Sequence, residues 1–185
     1  HNANVNNKGE KTECQNVLGY LQVQQGSIFS FIAAAKGLHA AVTFGNAPSV
    51  DILVGLPDGA ATLSLQVKTS YRALRTRGRG QNKHPDHYEW DVGERSAKLS
   101  QPDLFFAFVD LKSARTEMPD VFIVPSELIL KAFDRPYFKS GVKRRWRWHP
   151  KVDSISQYKN NWKTLENYLN EKAQCVVSSP ESEEN

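Results

Sequence analysis

The sequence has 185 residues, of which 39% are hydrophobic and 24% are charged, and its net charge is +4. This composition excludes a chain that is disordered throughout, because enough apolar side chains are present to form a core. No apolar run approaches the roughly 18–20 residues of a transmembrane helix, so we expect no membrane partner.

The first part of the chain predicts one helix followed by three strands. The helix covers about residues 17–36 and stops near Gly37, which suits a helix end. Apolar or alternating patterns typical of strands follow at residues 40–44, 50–55 and 62–70. Residues 56–59, Leu-Pro-Asp-Gly, have the composition of a turn, so the second and third strands should form an antiparallel hairpin.

The rest of the chain predicts basic loops, further strands and two helices. A Gly- and Arg-rich loop at residues 71–87 is followed by an edge strand at 88–92. Residues 104–111 form a nearly continuous apolar run, which is typical of a strand covered on both faces. The remaining elements are a strand at 121–124, a helix at 126–133 with Ser126 as N-cap, a basic loop at 134–151 and a helix at about 154–172. This order predicts a mixed α/β domain with helices on both sides of a central sheet.

We expect a single domain over residues 13–175. Residues 1–12 are polar and residues 176–185 are acidic, so both ends are predicted to be flexible. The two cysteines, Cys14 and Cys175, are too few for a disulfide framework. They favour reduced thiols in a cytoplasmic protein.

Positive charge is concentrated in two segments. Residues 71–85 contain five basic side chains and residues 135–151 contain seven, with no acidic residue in either segment. Such segregation indicates surfaces for a polyanion, and the aromatic residues of the second segment favour nucleic acid, because aromatic rings stack on bases. A solvated basic loop or a patch for an acidic protein is the alternative. The candidate nucleic-acid-binding residues are Arg72, Arg75, Arg77, Arg79, Lys83, Lys143, Arg144, Arg145, Trp146 and Arg147.

The third strand carries the most informative polar residues. Alternate side chains of a strand share a face, so Gln66 and Lys68 should point away from the core that receives its apolar residues. Asp51 lies among apolar residues of the preceding strand, where a carboxylate is costly unless it binds a cation or a donor. Asp51, Gln66 and Lys68 are therefore predicted to converge at one end of the sheet.

These residues suit a site for a hard cation such as Mg²⁺ or Mn²⁺. The Asp51 carboxylate, the Gln66 side-chain oxygen and the Val67 carbonyl can supply the oxygen ligands that Mg²⁺ prefers. The Lys68 ammonium would then stabilise negative charge on a phosphorane, or help to orient or deprotonate water.

Simpler interpretations stay open at each position. The two polar residues of the third strand could be the solvated face of an edge strand, and the aspartate could cap a turn or pair with an arginine. Glu89 or Asp91, next to the basic loop, could solvate a surface or complete the site. The His84-Pro85-Asp86-His87 segment could be structural, could contact DNA, or could carry metal or general-base chemistry.

Asp51 followed by Gln66-Val67-Lys68 on the next strand resembles the PD-(D/E)xK nuclease superfamily, and this tripeptide is similar to a branch of uncharacterised bacterial proteins. Residues 46–51, 122–126 and 158–162 are also similar to that branch, so that the resemblance covers about residues 17–170. It implies a restriction-endonuclease-like fold, in which helices flank a mixed central sheet. It also implies Mg²⁺-dependent endonucleolytic hydrolysis of DNA in restriction, repair or recombination.

Within this resemblance, Asp51 matches the metal-binding aspartate and Lys68 matches the catalytic lysine, whereas Gln66 stands where most members have an acid. The neutral side chain removes one negative charge, and no acidic residue occurs between Glu13 and Asp51. A catalytically inactive nucleic-acid-binding module on the same fold is therefore the alternative, and a protein-interaction domain is a third. Cutting both strands usually needs two sites, which makes a homodimer possible.

Overall fold

The computed structural model describes residues 29–30, 32–43, 50–114, 117–135 and 146–178. Its strands are β1 (His39–Val42), β2 (Ile52–Gly55), β3 (Thr62–Ser70), β4 (Leu74–Arg77), β5 (His84–Tyr88), β6 (Trp90–Asp91), β7 (Leu104–Asp110), β8 (Asp120–Pro125) and β9 (Arg147–Trp148). Its numbered helices are α1 (Glu94–Ala97), α2 (Ser126–Phe133), α3 (Val152–Ile155) and α4 (Lys163–Ser178). Residues 29–30 and 32–35 are also helical and belong to the predicted first helix, whose residues 17–28 lie outside the described part. No helix in the described ranges is long and apolar enough to cross a membrane.

Five strands form a mixed central sheet in the order β1-β2-β3-β7-β8. β3 and β7 are parallel, and the other neighbouring strands are antiparallel. The turn between β2 and β3 is closed by the Gly59 N–H, which donates to the Leu56 carbonyl at 3.0 Å. Gly59 has a φ of +75°, a conformation that glycine adopts without strain. The predicted β2–β3 hairpin is therefore confirmed.

The central sheet separates two hydrophobic cores. β7 is buried along its whole length because its alternate side chains enter opposite cores. Phe105, Ala107 and Val109 pack in the core that contains Leu165 and Leu169 of α4. Phe106 and Phe108 pack in the second core, which holds aromatic residues of β6 and β9 and apolar residues of α2 and α3. The predicted mixed α/β fold, with a central sheet covered on both faces, is confirmed.

The predicted loop at residues 71–87 is wrong, because this segment forms a β-hairpin. β4 and β5 pair antiparallel, with a bulge between Arg75 and Thr76. Hydrophobic alternation could not indicate these strands, since most of their residues are basic or polar. The predicted edge strand at 88–92 contains β6, which pairs with β9 from the predicted loop at 134–151.

Two details of the predicted helices are also wrong. Ser126 begins α2 without capping it by a side-chain hydrogen bond. Its hydroxyl instead donates to the Gln101 carbonyl at 2.9 Å and accepts from the Gln101 N–H at 3.1 Å. The predicted helix at 154–172 is interrupted, and α4 begins only at Lys163. Asn160 has a φ of +51°, and its N–H donates to the Val121 carbonyl at 2.6 Å. This attachment to β8 breaks the helical path, and α4 then continues into the predicted flexible tail.

Asp110, at the end of β7, anchors the β4–β5 hairpin to the sheet. Its buried carboxylate accepts hydrogen bonds from the N–H groups of Ala73 (2.9 Å), Leu74 (3.2 Å) and Lys112 (3.0 Å). Asp110→Ala should leave these donors unpaired and lower the free energy of unfolding by about 2–4 kcal/mol in urea denaturation. Asp58→Ala is the matched control, because Asp58 is exposed and accepts one bond from the Ala60 N–H. Equal losses in the two variants would contradict the anchoring role.

Candidate active site

Asp51 is held against β3 by two hydrogen bonds. Ile52 lies opposite Leu65, so extending the antiparallel register by one residue places Asp51 beside Gln66. The Asp51 N–H donates to the Leu65 carbonyl at 2.9 Å, and Asp51 Oδ2 accepts from the Val67 N–H at 2.7 Å. The donor that offsets the cost of this carboxylate is therefore a backbone amide of the neighbouring strand.

Gln66 presents a buried oxygen atom that lacks a hydrogen-bond partner. The residue is 7% exposed, and Oε1 has no partner among the described residues. Leaving a buried acceptor unpaired costs roughly 1–3 kcal/mol, so such an atom calls for a ligand or another explanation. Since Asp51 lies opposite Gln66, a carboxylate and an unpaired carbonyl oxygen occur on the same face of the β2–β3 pair. This donor set suits a hard cation.

Lys68 lies on the same face of β3 as Gln66 and is half-buried. Its Nζ donates to Ser96 Oγ at 3.1 Å. Burial lowers the pKa of Lys68 from its usual 10.5, while the negative charges of Asp51 and Asp91 act in the opposite direction. β3 is the third of five strands, which excludes the interpretation of Gln66 and Lys68 as the solvated face of an edge strand.

The two further acidic candidates differ in what they face. The charge of Asp91 raises the pKa of Lys68, so this carboxylate lies near the Lys68 amine. Glu89 binds Arg75, whose Nε is 3.3 Å from Oε2, and also pairs with Arg147. Burial by itself raises the pKa of Glu89, but the two arginines outweigh it and the pKa is lowered. Glu89 therefore serves as an ion-pair partner, and Asp91 is the acid that can support Lys68.

Ser96 is the member of this site that sequence analysis missed. It lies on α1, 28 residues after Lys68, and is 7% exposed. No local pattern distinguishes this serine from others in the chain, because its role depends on where the tertiary fold places α1 relative to Lys68. Its hydroxyl holds the amine of Lys68 in a fixed position.

A metal ion at this site would depend on very few charged ligands. In the described ranges, no group of three His, Cys, Asp or Glu side chains could hold a metal ion. The residues that fit are Asp51, which supplies one carboxylate, and Gln66, which supplies the unpaired oxygen. Val67 lies next to Gln66 in β3, and its N–H donates to the Asp51 carboxylate.

The basic residues among the predicted nucleic-acid-binding residues divide into three groups. Lys143, Arg144 and Arg145 lie outside the described residues. Arg75 and Arg147 are paired with Glu89. The third group is exposed, has no ion-pair partner within the described part of the chain, and consists of Arg72, Arg77, Arg79 and Lys83.

The two described tryptophans of the second basic segment are partly or wholly turned inward, whereas Tyr137 and Phe138 lie outside the described residues. Trp146 is half-buried, with its ring 5.6 Å from that of Phe133 and the Lys98 ammonium 5.4 Å from its centroid. Trp148 is 8% exposed and packs 4.6 Å from the Phe108 ring. Trp148 therefore belongs to the core and presents no face for stacking on a base.

The His84–His87 segment is tied into a network of ion pairs. Asp86 accepts from Lys151 Nζ at 2.7 Å and lies 2.7 Å from His87 Nδ1. The bond from Lys151, followed by the bond from His87, lowers the pKa of Asp86 to about 2. Of the interpretations given above for this segment, the contacts favour the structural one.

No protein-family model matches the sequence, and no curated protein matches it. Among solved structures, the chain is similar to the bacterial homing endonuclease I-Ssp6803I. The two share 16% sequence identity, the alignment covers 84% of this chain and 92% of that chain, and the TM-score is 0.47. A likeness at this level assigns neither a fold nor an activity.

The chemistry of the site therefore depends on its own geometry. A carboxylate and a buried, unpaired oxygen lie on the same strand pair as an amine whose pKa is lowered by burial. The oxygens can hold a hard cation, and the amine can bind an anionic group or exchange a proton near neutral pH more readily than an exposed lysine. These capacities match what hydrolysis of a phosphodiester requires.

Proposed function

We propose that this chain is a Mg²⁺- or Mn²⁺-dependent DNA endonuclease that hydrolyses phosphodiester bonds at a PD-(D/E)xK-type site. One observation carries the proposal, namely the convergence of Asp51, the unpaired Gln66 oxygen and Lys68 on the β2–β3 pair. A structural role alone does not account for it, since the buried oxygen and the half-buried amine both cost stability.

Each residue has a distinct role in this proposal. Asp51 and Gln66 would hold the cation, with the Val67 carbonyl as a third ligand, and the bound cation would supply Lewis-acid stabilisation to the scissile phosphate. Lys68, positioned by Ser96, either accepts a proton from the attacking water as the neutral amine or, as the ammonium, stabilises the negative charge on the phosphoryl oxygens. The exposed cations Arg72, Arg77, Arg79 and Lys83 contact the DNA. Homodimerisation and a cytoplasmic location stay predictions.

A second candidate is a nucleic-acid-binding module without catalytic activity. The site has one carboxylate, Asp51, in a position to bind a cation, and the described residues contain no group of three metal-binding side chains. So few charged ligands favour a protein that binds DNA without a catalytic metal ion. A neutral Gln66 lowers the affinity for Mg²⁺ relative to an acid at this position. This candidate predicts DNA binding that is indifferent to Mg²⁺.

The test is a cleavage assay with the full chain. Supercoiled, linear, single-stranded and methylated DNA would each be incubated with the protein in Mg²⁺, Mn²⁺ or EDTA. The endonuclease proposal predicts cut DNA in either metal and intact DNA in EDTA. DNA that is bound but intact on every substrate would contradict it and support the binding module.

Gln66→Glu tests whether the unpaired oxygen is a ligand position. In EDTA this variant should be less stable than wild type, because it places a second carboxyl beside Asp51 in a buried site. Mn²⁺ should then raise the Tm of the variant more than that of wild type, as measured by calorimetry, because binding to the folded state stabilises it. Glu89→Gln is the control, since the Glu89 carboxylate is already engaged by two arginines. Equal Mn²⁺ shifts in Gln66→Glu and wild type would exclude position 66 as a metal ligand.

A further inference from the structure

We propose that the β4–β5 hairpin enters the major groove of duplex DNA and reads base edges there. This inference rests on the proposed function for its partner, DNA, and gives the endonuclease a target sequence. It goes beyond the phosphate contacts assigned above to the exposed cations. Four features of the hairpin carry it.

The base of the hairpin is braced against the rest of the molecule. Asp110 binds the backbone where β4 begins, and the Tyr88 N–H at the end of β5 donates to the Pro150 carbonyl at 3.0 Å. Glu89 pairs with both Arg75 and Arg147, so these two cations at the base are bound by one carboxylate of the protein itself. The base is therefore a rigid support, and its arginines are engaged within the chain.

The tip has the opposite character. Arg77, Arg79 and Lys83 are exposed, and none of them has an ion-pair partner within the described residues. Gln81 and Asn82, also exposed, lie between these cations. The two unpaired arginines are followed here by two side-chain amides and a lysine, and no acidic residue occurs between Tyr71 and Pro85. Such a surface offers hydrogen-bond donors in excess and suits a partner rich in acceptors.

The conformation of the tip is fixed by Gly78. This residue has a φ of +91°, and a Cβ placed on it would lie 2.2 Å from the Asn82 carbonyl oxygen. Hydrogen bonds from the Asn82 N–H to the Arg79 carbonyl (3.1 Å) and from the Lys83 N–H to the Gly80 carbonyl (3.3 Å) close the turn. Only glycine allows this close approach of the two sides, so the tip is preorganised and loses little conformational entropy on binding.

The dimensions and the residue types both match the major groove. At about 3.3 Å per residue, the four residues of β4 extend roughly 13 Å. This length is enough to reach the base edges at the floor of the major groove, which is about 8.5 Å deep. That groove, about 12 Å wide, admits a two-stranded ribbon, whereas the minor groove, about 6 Å wide, does not. Arg forms bidentate pairs with guanine, and Gln and Asn form them with adenine. The tip therefore carries the side chains that distinguish base pairs.

The test is selection of a binding site from a library of random-sequence duplexes by the full chain in EDTA, where no metal-dependent cleavage occurs. The proposal predicts that one motif is enriched. Arg79→Ala should then reduce the preference for this motif over a scrambled duplex by about tenfold, since a bidentate base contact contributes roughly 1–3 kcal/mol of discrimination. Arg79→Lys should lose the same preference while keeping the affinity for scrambled DNA, because it retains the charge but not the planar fork.

Arg72→Ala is the matched control, because Arg72 is exposed and precedes the hairpin. It should weaken binding to the motif and to scrambled DNA equally, as the loss of a phosphate contact does. The proposal is overturned if no motif is enriched, or if Arg79→Ala weakens both duplexes to the same extent. A selected motif that the protein binds but never cuts in Mg²⁺ supports the hairpin proposal and refutes the endonuclease, whereas cutting without any enriched motif does the reverse.

Discussion

Lys68→Ala should lower the rate of DNA cleavage by roughly 10²–10⁴-fold, the range expected for loss of a catalytic proton-transfer group. The amine lies on the face of the sheet that carries Asp51 and Gln66, and Ser96 holds it in place. DNA affinity should change little, because the cations proposed to contact DNA lie on other elements. Single-turnover cleavage and equilibrium binding of the same duplex would measure the two effects separately.

Lys68→Met separates a catalytic role from a structural one. Desolvation of the half-buried ammonium costs stability, so the apolar side chain should leave Tm unchanged or raise it while cleavage is lost. Because burial lowers the pKa of Lys68, the folded chain binds fewer protons than the unfolded chain between that lowered pKa and 10.5. Wild-type stability should therefore rise with pH through this window relative to Lys68→Met. A Lys68→Met variant that cuts DNA at the wild-type rate would refute the assignment.

Asp51→Asn should reduce Mg²⁺-dependent cleavage by about three orders of magnitude, since a metal ion contributes several kcal/mol to stabilising the transition state. The asparagine keeps a side-chain oxygen for the Val67 N–H, which donates to Asp51 at 2.7 Å, so the strand pair should be preserved. What is lost is the charge that holds the cation. Cleavage rates over a range of Mg²⁺ concentrations would show whether the deficit lies in metal affinity.

Asp91→Asn is the informative control for this variant. Asp91 acts on Lys68 by its charge, whereas Asp51 also lies opposite Gln66 in the extended β2–β3 register. We expect Asp91→Asn to shift the pH dependence of cleavage without changing the Mg²⁺ concentration that gives half the maximal rate. If Asp91→Asn raises the Mg²⁺ concentration for half the maximal rate as much as Asp51→Asn does, then Asp91 is a metal ligand and the present assignment is wrong.

The strand pair that carries the site could be predicted because its determinants are local. The alternation along β3 sets which side chains share a face, and the tight turn at residues 56–59 sets the register with β2. These two facts bring Asp51 beside Gln66 without information from the rest of the chain. The burial of β7 was predictable for a similar reason, since its apolar run has only one consistent environment.

The features that sequence analysis missed depend on contacts between distant segments. Ser96 reaches Lys68 only because the tertiary fold brings α1 to it, and Asn160 breaks the last helix by bonding to Val121 of β8. The β4–β5 hairpin has no hydrophobic alternation to indicate its strands, and its base is fixed by Asp110, more than 30 residues away. Propensity and periodicity contain no information on such contacts.

The central claim is that Asp51, Gln66 and Lys68 form a metal-dependent phosphodiesterase site. Its most direct test is nicking of supercoiled plasmid DNA by wild type and Lys68→Ala, purified in parallel, in Mg²⁺ and in EDTA. We predict open-circular or linear product for wild type in Mg²⁺ alone, and none for Lys68→Ala. Intact plasmid with wild type in Mg²⁺, or equal nicking by Lys68→Ala, would contradict the claim.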